Sequence, residues 1–198
     1  MPRILILLFI GLCFSNILHA QYVQEEANHT HNFTFPKSDV YNSTAWTKTN
    51  ILTGKPVDLF ATLDSGFVIV QEYVMMDCRP CITAGKGLET IITSLQKLYP
   101  GRIRLYQTVY EDETNAQTLK KWIRENGFTP EAAFTQGAKE VAFYGGMGMP
   151  TILVLGGGMR HKGYYKRLGY SPRENGVIIK AIRRALSLSV SKFETAKQ

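Results

Sequence analysis

Downstream of residue 50 the spacing of apolar positions switches repeatedly between two and three-to-four residues, and each switch marks an element. Val57, Phe60 and Leu63 share one side of a short helix predicted over 56–63, which Asp64-Ser65-Gly66 stops. Phe67 to Val74, Phe-Val-Ile-Val-Gln-Glu-Tyr-Val, is apolar enough for a central strand covered on both faces. From Cys78 to Tyr99 the residues Leu88, Ile91, Ile92, Leu95 and Leu98 recur at helical spacing, and Pro100-Gly101 ends the segment. Arg102 to Val109 alternates Ile103, Leu105 and Val109 with more polar neighbours, as a strand does. Asn115 to Asn126 turns Leu119, Trp122 and Ile123 inward on a helix that Gly127 closes. A short strand over 131–135 and a short helix over 138–144 follow. Thr151 to Leu155 is a strongly apolar strand, Gly156-Gly157-Gly158 a turn, and Arg160 to Tyr165 its antiparallel partner. Ser171-Pro172-Arg173-Glu174 combines a capping box with proline at the first helical position. Ile178, Ile179, Ile182 and Leu186 then form the core stripe of a final helix. The order αβ, αβ, αβ with a short helix, then ββα, predicts an α/β domain built on one sheet.

The segments before residue 51 have no such period. Residues 1–20 have the build of a secretory signal: Arg3, the apolar run Ile4 to Phe14, and Leu18-His19-Ala20 before Gln21 as a cleavage site. That run is too short for a membrane-spanning helix. Cys13 lies within it and leaves with it, and Ile-Gly-Leu before Cys13 fits a lipoprotein site poorly, so no lipid anchor is expected. Residues 21–50, rich in Asn, Thr, Ser and His, are expected to form a flexible, extended or loosely docked arm, leaving 51–198 as the folded domain. Asn28-His29-Thr30, Asn32-Phe33-Thr34 and Asn42-Ser43-Thr44 match the N-glycosylation pattern. Without Arg3 the basic count falls from 23 to 22 against 16 acidic residues, a formal charge of +6. Because the basic residues are scattered through several segments, they describe a solvated surface with affinity for anionic envelopes rather than a nucleic-acid face.

Removing the signal leaves two cysteines, Cys78 and Cys81, in Met-Met-Asp-Cys-Arg-Pro-Cys-Ile between a strand and a helix. Unsatisfied backbone N–H groups and the dipole at a helix N-terminus favour a thiolate on the first sulfur, and Arg79 adds positive charge. Cys78 would attack and Cys81, one turn further in, would resolve. As a staple the pair would be poor, since it closes a very small loop and restricts little of the unfolded chain. An exported chain also meets a compartment in which disulfides form.

The second motif is Tyr144-Gly145-Gly146-Met147-Gly148-Met149-Pro150-Thr151, a glycine-rich turn into a proline that opens an apolar strand. Proline cannot donate to a sheet ladder, so here it marks a strand start or a cis peptide in a tight turn. C-x-x-C after a strand together with Y-G-x-x-G-x-P-T resembles the thioredoxin superfamily over residues 57–190, with Pro80 at its expected place in the redox loop. Pro150 comes 69 positions after Cys81, room for an extra α/β insert, which is similar to the larger exported thioredoxin-like proteins of the TlpA type. The resemblance implies a thioredoxin-like fold, a central mixed sheet flanked by helices, with that insert between the C-x-x-C helix and the proline loop. It implies a cis Pro150 beside the dithiol, with Met149 offering backbone N–H and C=O to an extended substrate segment. It also places a buried acid at Glu72, six residues before Cys78, able to exchange a proton with Cys81. Read alone, Glu72 also fits a half-exposed position on an edge strand. Asp77 replaces the tryptophan usual before the first cysteine and opposes the thiolate stabilisation from Arg79. The activity implied is thiol-disulfide exchange with protein substrates in the periplasm or outside the cell, with an external redox partner, no organic cofactor and no stable membrane anchor.

Two other classes compete. The methionines Met75, Met76, Met147, Met149 and Met159 lie in or near the segments around these loops, and thioethers with thiolates suit Cu(I), as in a chaperone resembling the Sco type, with His161 as a further ligand. Those chaperones carry C-x-x-x-C, however, and flexible methionines equally suit a groove for varied unfolded substrates. Zinc held by His29, His31 and the two cysteines has the ligand count but poor spacing. A non-catalytic binding module would keep the fold for partner recognition alone. The peroxiredoxin motif Pro-x-x-x-Thr-x-x-Cys is not found.

Overall fold

The computed structural model describes residues 40–146, 148–157 and 161–189, all within one of the chain's two units, 35–198. The signal segment with Cys13, the first two glycosylation patterns with His29 and His31, and Met147, Gly158, Met159 and Arg160 lie outside the described residues.

Strand β4 (Val68–Val74) is buried at every position, Gln71 and Glu72 included, as befits a central strand covered on both faces. It pairs in parallel with β5 (Ile103–Val109), which pairs in parallel with β6 (Ala132–Phe134). On its other side it runs antiparallel to β7 (Thr151–Gly156), which pairs with β8 (Lys162–Leu168) and, beyond it, β1 (Tyr41–Asn42). The sheet order is therefore β1-β8-β7-β4-β5-β6, and β2 (Thr47–Thr49) with β3 (Pro56–Asp58) forms a separate two-stranded ribbon.

Because side chains alternate along β4, Val68 and Val70 face one layer and Ile69 and Tyr73 the other. The first layer holds helices α2 (Arg79–Gln96) and α5 (Asn175–Leu188), whose Leu88, Ile91, Ile92, Ile178 and Ile182 bury against Ile103, Leu105, Ile152 and Val154. On the opposite face α1 (Leu59–Asp64) and α4 (Ala138–Phe143) bring Leu59, Leu63 and Val141 onto Tyr106, Phe134, Leu153 and Leu155. Helix α3 (Ala116–Glu125) covers a third cluster through Leu119, Trp122 and Ile123, which extends to Val74, Val109 and Cys81. The interval between the C-x-x-C helix and Pro150 is thus filled by β5, α3, β6 and α4. Among the described residues no helix is long and apolar enough to cross a membrane.

Several expectations change. Residues 40–50 are docked rather than loose: they run as a strap from one margin of the sheet to the other. At one margin the Tyr41 ring sits where a side chain on Gly163 would otherwise be, Tyr41 Oη donates to the Tyr165 carbonyl (2.7 Å), and Ser43 N–H and Oγ both donate to the His161 carbonyl. Trp46 then packs edge-on against Phe134 (4.9 Å between centroids). At the other margin Ile51 N–H donates to the Ala133 carbonyl, and buried Asn50 accepts from Ala133 N–H (3.2 Å). These bonds satisfy part of the outer edge of β6, a way of covering a strand that has no further sheet partner among the described residues.

The segment predicted as a helix over 56–63 splits, because Asp58 has extended backbone and its carboxylate caps α1 by accepting from Ala61 N–H (2.8 Å). Pro56, lacking an N–H, sits on the ribbon instead. Leu98, assigned to the stripe of α2, lies beyond the helix end at Gln96 and is exposed. The capping box at Ser171 does not form: a 3-10 turn (Pro172–Glu174) precedes α5, Ser171 makes no side-chain cap, and Glu174 pairs with Arg167 and accepts from Tyr165 Oη (3.0 Å). The partner strand of β7 reaches Leu168, three residues past its expected end, with a bulge at Tyr164.

Candidate functional site: a dithiol at the end of the central strand

Cys78 follows β4 after a short turn and is the N-cap of α2, with extended backbone (φ −97°, ψ 97°) and Pro80 in the first helical turn. Its sulfur accepts the Cys81 N–H at 3.1 Å, one of the donors a helix start leaves unsatisfied. The two sulfurs are joined in a disulfide (S–S 2.05 Å). They are not equivalent: Cys81 is buried in the cluster of Val74, Val109 and α3, while Cys78 is half-buried and flanked by Asp77 and Arg79. A nucleophile from solvent therefore meets Cys78 first.

The second motif arrives at the same end of the sheet by strand pairing. Thr151 stands opposite Tyr73 in the β4–β7 ladder, so Pro150 lies beside the residues that lead out of β4 into the C-x-x-C turn. The Met149–Pro150 bond is cis. Met149, like Cys78, Met76 and Ile82, packs against the buried cluster of Val74, Cys81 and Val109, and it also touches the cluster of Tyr73 and Tyr144 on the other face. Pro150 carbonyl accepts from Gly169 N–H (2.7 Å), and Thr151 Oγ1 donates to the Gly148 carbonyl (2.8 Å), which fixes the loop's exit. Among the described residues, none exchanges a hydrogen bond with the Met149 backbone.

Glu72 belongs to the central strand and is fully buried, so the half-exposed edge position does not apply. In the parallel register it stands beside Gln107, whose Nε2 donates to Glu72 Oε2 at 2.9 Å. Burial pushes its carboxyl up to about 8; the Gln107 bond opposes this and the Glu89 charge adds to it. Its other oxygen, Oε1, is buried without a partner among the described residues, as is Gln107 Oε1. A carboxyl so placed is mostly neutral at pH 7 and carries its proton inside the domain.

Two further residues escaped the sequence reading. Gln107 is a polar position in an apolar strand, which is a signal, but its pairing with Glu72 depends on a register only the folded sheet sets. Glu111 accepts from Met76 N–H (3.3 Å) and so steadies the turn before Cys78, a contact with no sequence signature.

His161 is not at this site. It lies beyond the far end of the six-residue β7, whose five steps of about 3.3 Å put it roughly 17 Å or more from the proline loop. There its ring stacks on Phe60 (3.9 Å between centroids) and its Nε2 meets Asp64 Oδ1 at 2.7 Å. The copper ligand set that included it is therefore not assembled. Among the described residues no group of three or more His, Cys, Asp or Glu side chains is placed to hold a metal.

No family model matches the chain, and no curated protein matches it. Solved structures do. A DsbF homologue from Corynebacterium diphtheriae superposes with a TM-score of 0.58 at 17% identity, covering 78% of this chain and 96% of the other. A thiol:disulfide interchange protein from Bacteroides sp. gives 0.57 at 16%, covering 74% and 91%. The chain has a thioredoxin fold. A thioredoxin-like protein from Porphyromonas gingivalis, at 0.57 and 19% identity over 75% of this chain and 95% of its own, agrees. In this chain the cysteine pair after the central strand and the cis proline on the antiparallel neighbour occupy one end of that sheet.

Proposed function

We propose that this chain is an exported thiol-disulfide oxidoreductase that exchanges its Cys78–Cys81 bond with protein thiols. The observation that carries the reading is the asymmetry of the pair: a half-buried sulfur at a helix N-terminus bonded to a fully buried one. A substrate thiolate attacks Cys78, the S–S bond breaks, and Cys81 departs as a thiolate while a mixed disulfide forms on Cys78. The Glu72 carboxyl, neutral in the oxidised protein, supplies the proton that Cys81 then takes up. A second substrate thiolate attacks its neighbour in the mixed disulfide, leaving an oxidised substrate and a reduced Cys78. Reversing the sequence reduces a substrate disulfide, with Glu72 receiving the Cys81 proton before Cys81 resolves the adduct. Met149, whose backbone groups find no partner among the described residues, pairs with the substrate main chain by strand addition. The solved structures of the same fold described as thiol:disulfide interchange proteins support this assignment.

Replacing Cys81 with Ala should leave a covalent substrate adduct on Cys78, visible on a non-reducing gel and absent when Cys78 is also replaced. A Cys81→Ala protein that accumulates no adduct with disulfide-bearing substrates overturns the proposal. Signal cleavage after Ala20 and recovery of the product outside the cytoplasm test the export part.

A further inference from the structure

The segment that begins the proline loop is held by residues far from it in sequence, and these contacts have no part in the exchange steps. Tyr144, the first residue of the motif, is buried (2% exposed) beneath the strap. Its hydroxyl accepts the Thr44 N–H at 3.2 Å, and its carbonyl accepts Lys166 Nζ at 2.7 Å. The Tyr41 ring meets it edge-on (5.8 Å between centroids, 76°), and Lys166 Nζ lies 5.3 Å over the Tyr41 ring. Gly145 turns the chain with a φ of +71°, and Gly146 N–H returns to the Val141 carbonyl at 2.9 Å. No larger residue fits at Gly146 without displacement, because a Cβ there would stand 3.0 Å from Thr151 Oγ1 and 3.1 Å from Val141. The loop is therefore clamped at its entry by the strap and β8, and at its exit by Gly169 and Thr151. Met149 lies between the two clamps.

We infer that Tyr144, held by the strap at Thr44 and by Lys166, is a positioning residue for polypeptide substrates: it sets where the Met149 backbone stands relative to Cys78. This rests on the proposed exchange with protein thiols. The inference has a specific consequence, because a small dithiol needs only the sulfur, whereas a polypeptide needs both the sulfur and the strand-pairing groups. Loosening the entry clamp should therefore raise the KM for a peptide disulfide without touching reaction with a small thiol.

Three proteins serve the test: wild type, Tyr144→Phe, which removes the hydroxyl acceptor and keeps the ring, and Lys166→Met, which removes the second anchor. Each is measured for reduction of its own disulfide by dithiothreitol and for turnover of a disulfide-bearing peptide, with urea midpoints confirming that all three fold. The expected result is a KM for peptide raised about five-fold or more in both variants, kcat within two-fold, and dithiothreitol rates unchanged. Equal losses in both reactions, or none in either, overturn the inference. Hydrogen exchange at Gly146 and Gly169, whose N–H groups donate to the Val141 and Pro150 carbonyls at the two ends of the loop, gives a readout independent of turnover. Exchange there should quicken at least three-fold in Tyr144→Phe, and unchanged protection overturns the inference even if no peptide is turned over. A wild type inert toward peptides but with the loop loosened in the variant would instead count against the proposed function alone.

Discussion

Glu72→Gln provides the sharpest test of the buried carboxyl, since it keeps the shape and removes the charge. In the folded protein Glu72 titrates at about 8, against 4.5 for the ordinary carboxyl. Below pH 4.5 the group is protonated in both states and contributes no pH dependence. Between those values the unfolded chain has released a proton that the folded domain retains, so stability falls as pH rises, by about 1.4 kcal/mol per pH unit. The accumulated loss is roughly 3 kcal/mol at pH 7 and levels off near 5 kcal/mol above pH 8. That is a large part of the 5–15 kcal/mol typical of a whole domain. The glutamine side chain of the variant cannot ionise, yet it can still accept from Gln107 Nε2. Urea unfolding of the oxidised proteins at pH 5, 6, 7 and 8 should show the two nearly equal at pH 5 and the variant gaining steadily toward pH 8. The difference between them isolates Glu72 from every other titrating group. A difference that stays flat from pH 5 to pH 8 would refute the argument, because it would mean that the carboxyl ionises inside the fold as easily as in water.

Other outcomes follow from packing. Leu88→Ala empties a fully buried site on the helix that carries the cysteines and should cost about 2–5 kcal/mol, read from the urea midpoint. Gly157→Ala would place a Cβ 2.4 Å from the Leu63 carbonyl oxygen, so the backbone itself must move, and a loss of about 1–3 kcal/mol is expected by the same assay. Asn50→Ala leaves Ala133 N–H and Leu52 N–H without their acceptor and should cost about 1–3 kcal/mol, with faster amide exchange along β6. The last result would show that the strap seals the sheet margin; unchanged exchange at Ala133 would show that it does not.

Elements dictated by a local period were legible from the chain. The run around Val70 and the one around Leu153 could only be covered strands, and Leu119, Trp122 and Ile123 could only share one helix face. The cysteine pair and the proline loop were legible for the same reason, since each requires particular residues at fixed local spacing. The strap was not, because Tyr41, Trp46 and Asn50 are single anchors in a polar stretch and their partners lie more than 80 residues away. The same holds for Gln107 beside Glu72, which register alone brings together, and for His161, whose distance from the cysteines is set by the length of β7. Glu174 shows a tertiary partner winning over a local one: its carboxylate goes to Arg167 and Tyr165, so the local cap at Ser171 is forgone.

The strap also orders events in time. Ser43 and Tyr41 are synthesised early, yet the carbonyls that receive their hydrogen bonds belong to residues 118 and 124 positions later. Contacts of such span close late, after the cost of joining distant parts of the chain has been met by the core. A nascent chain halted before His161 could assemble β4, α2 and the cysteines while its leading end still lacked a place to bind. The sulfur pair would then be in place before the entry to the proline loop was clamped by Thr44 and Lys166.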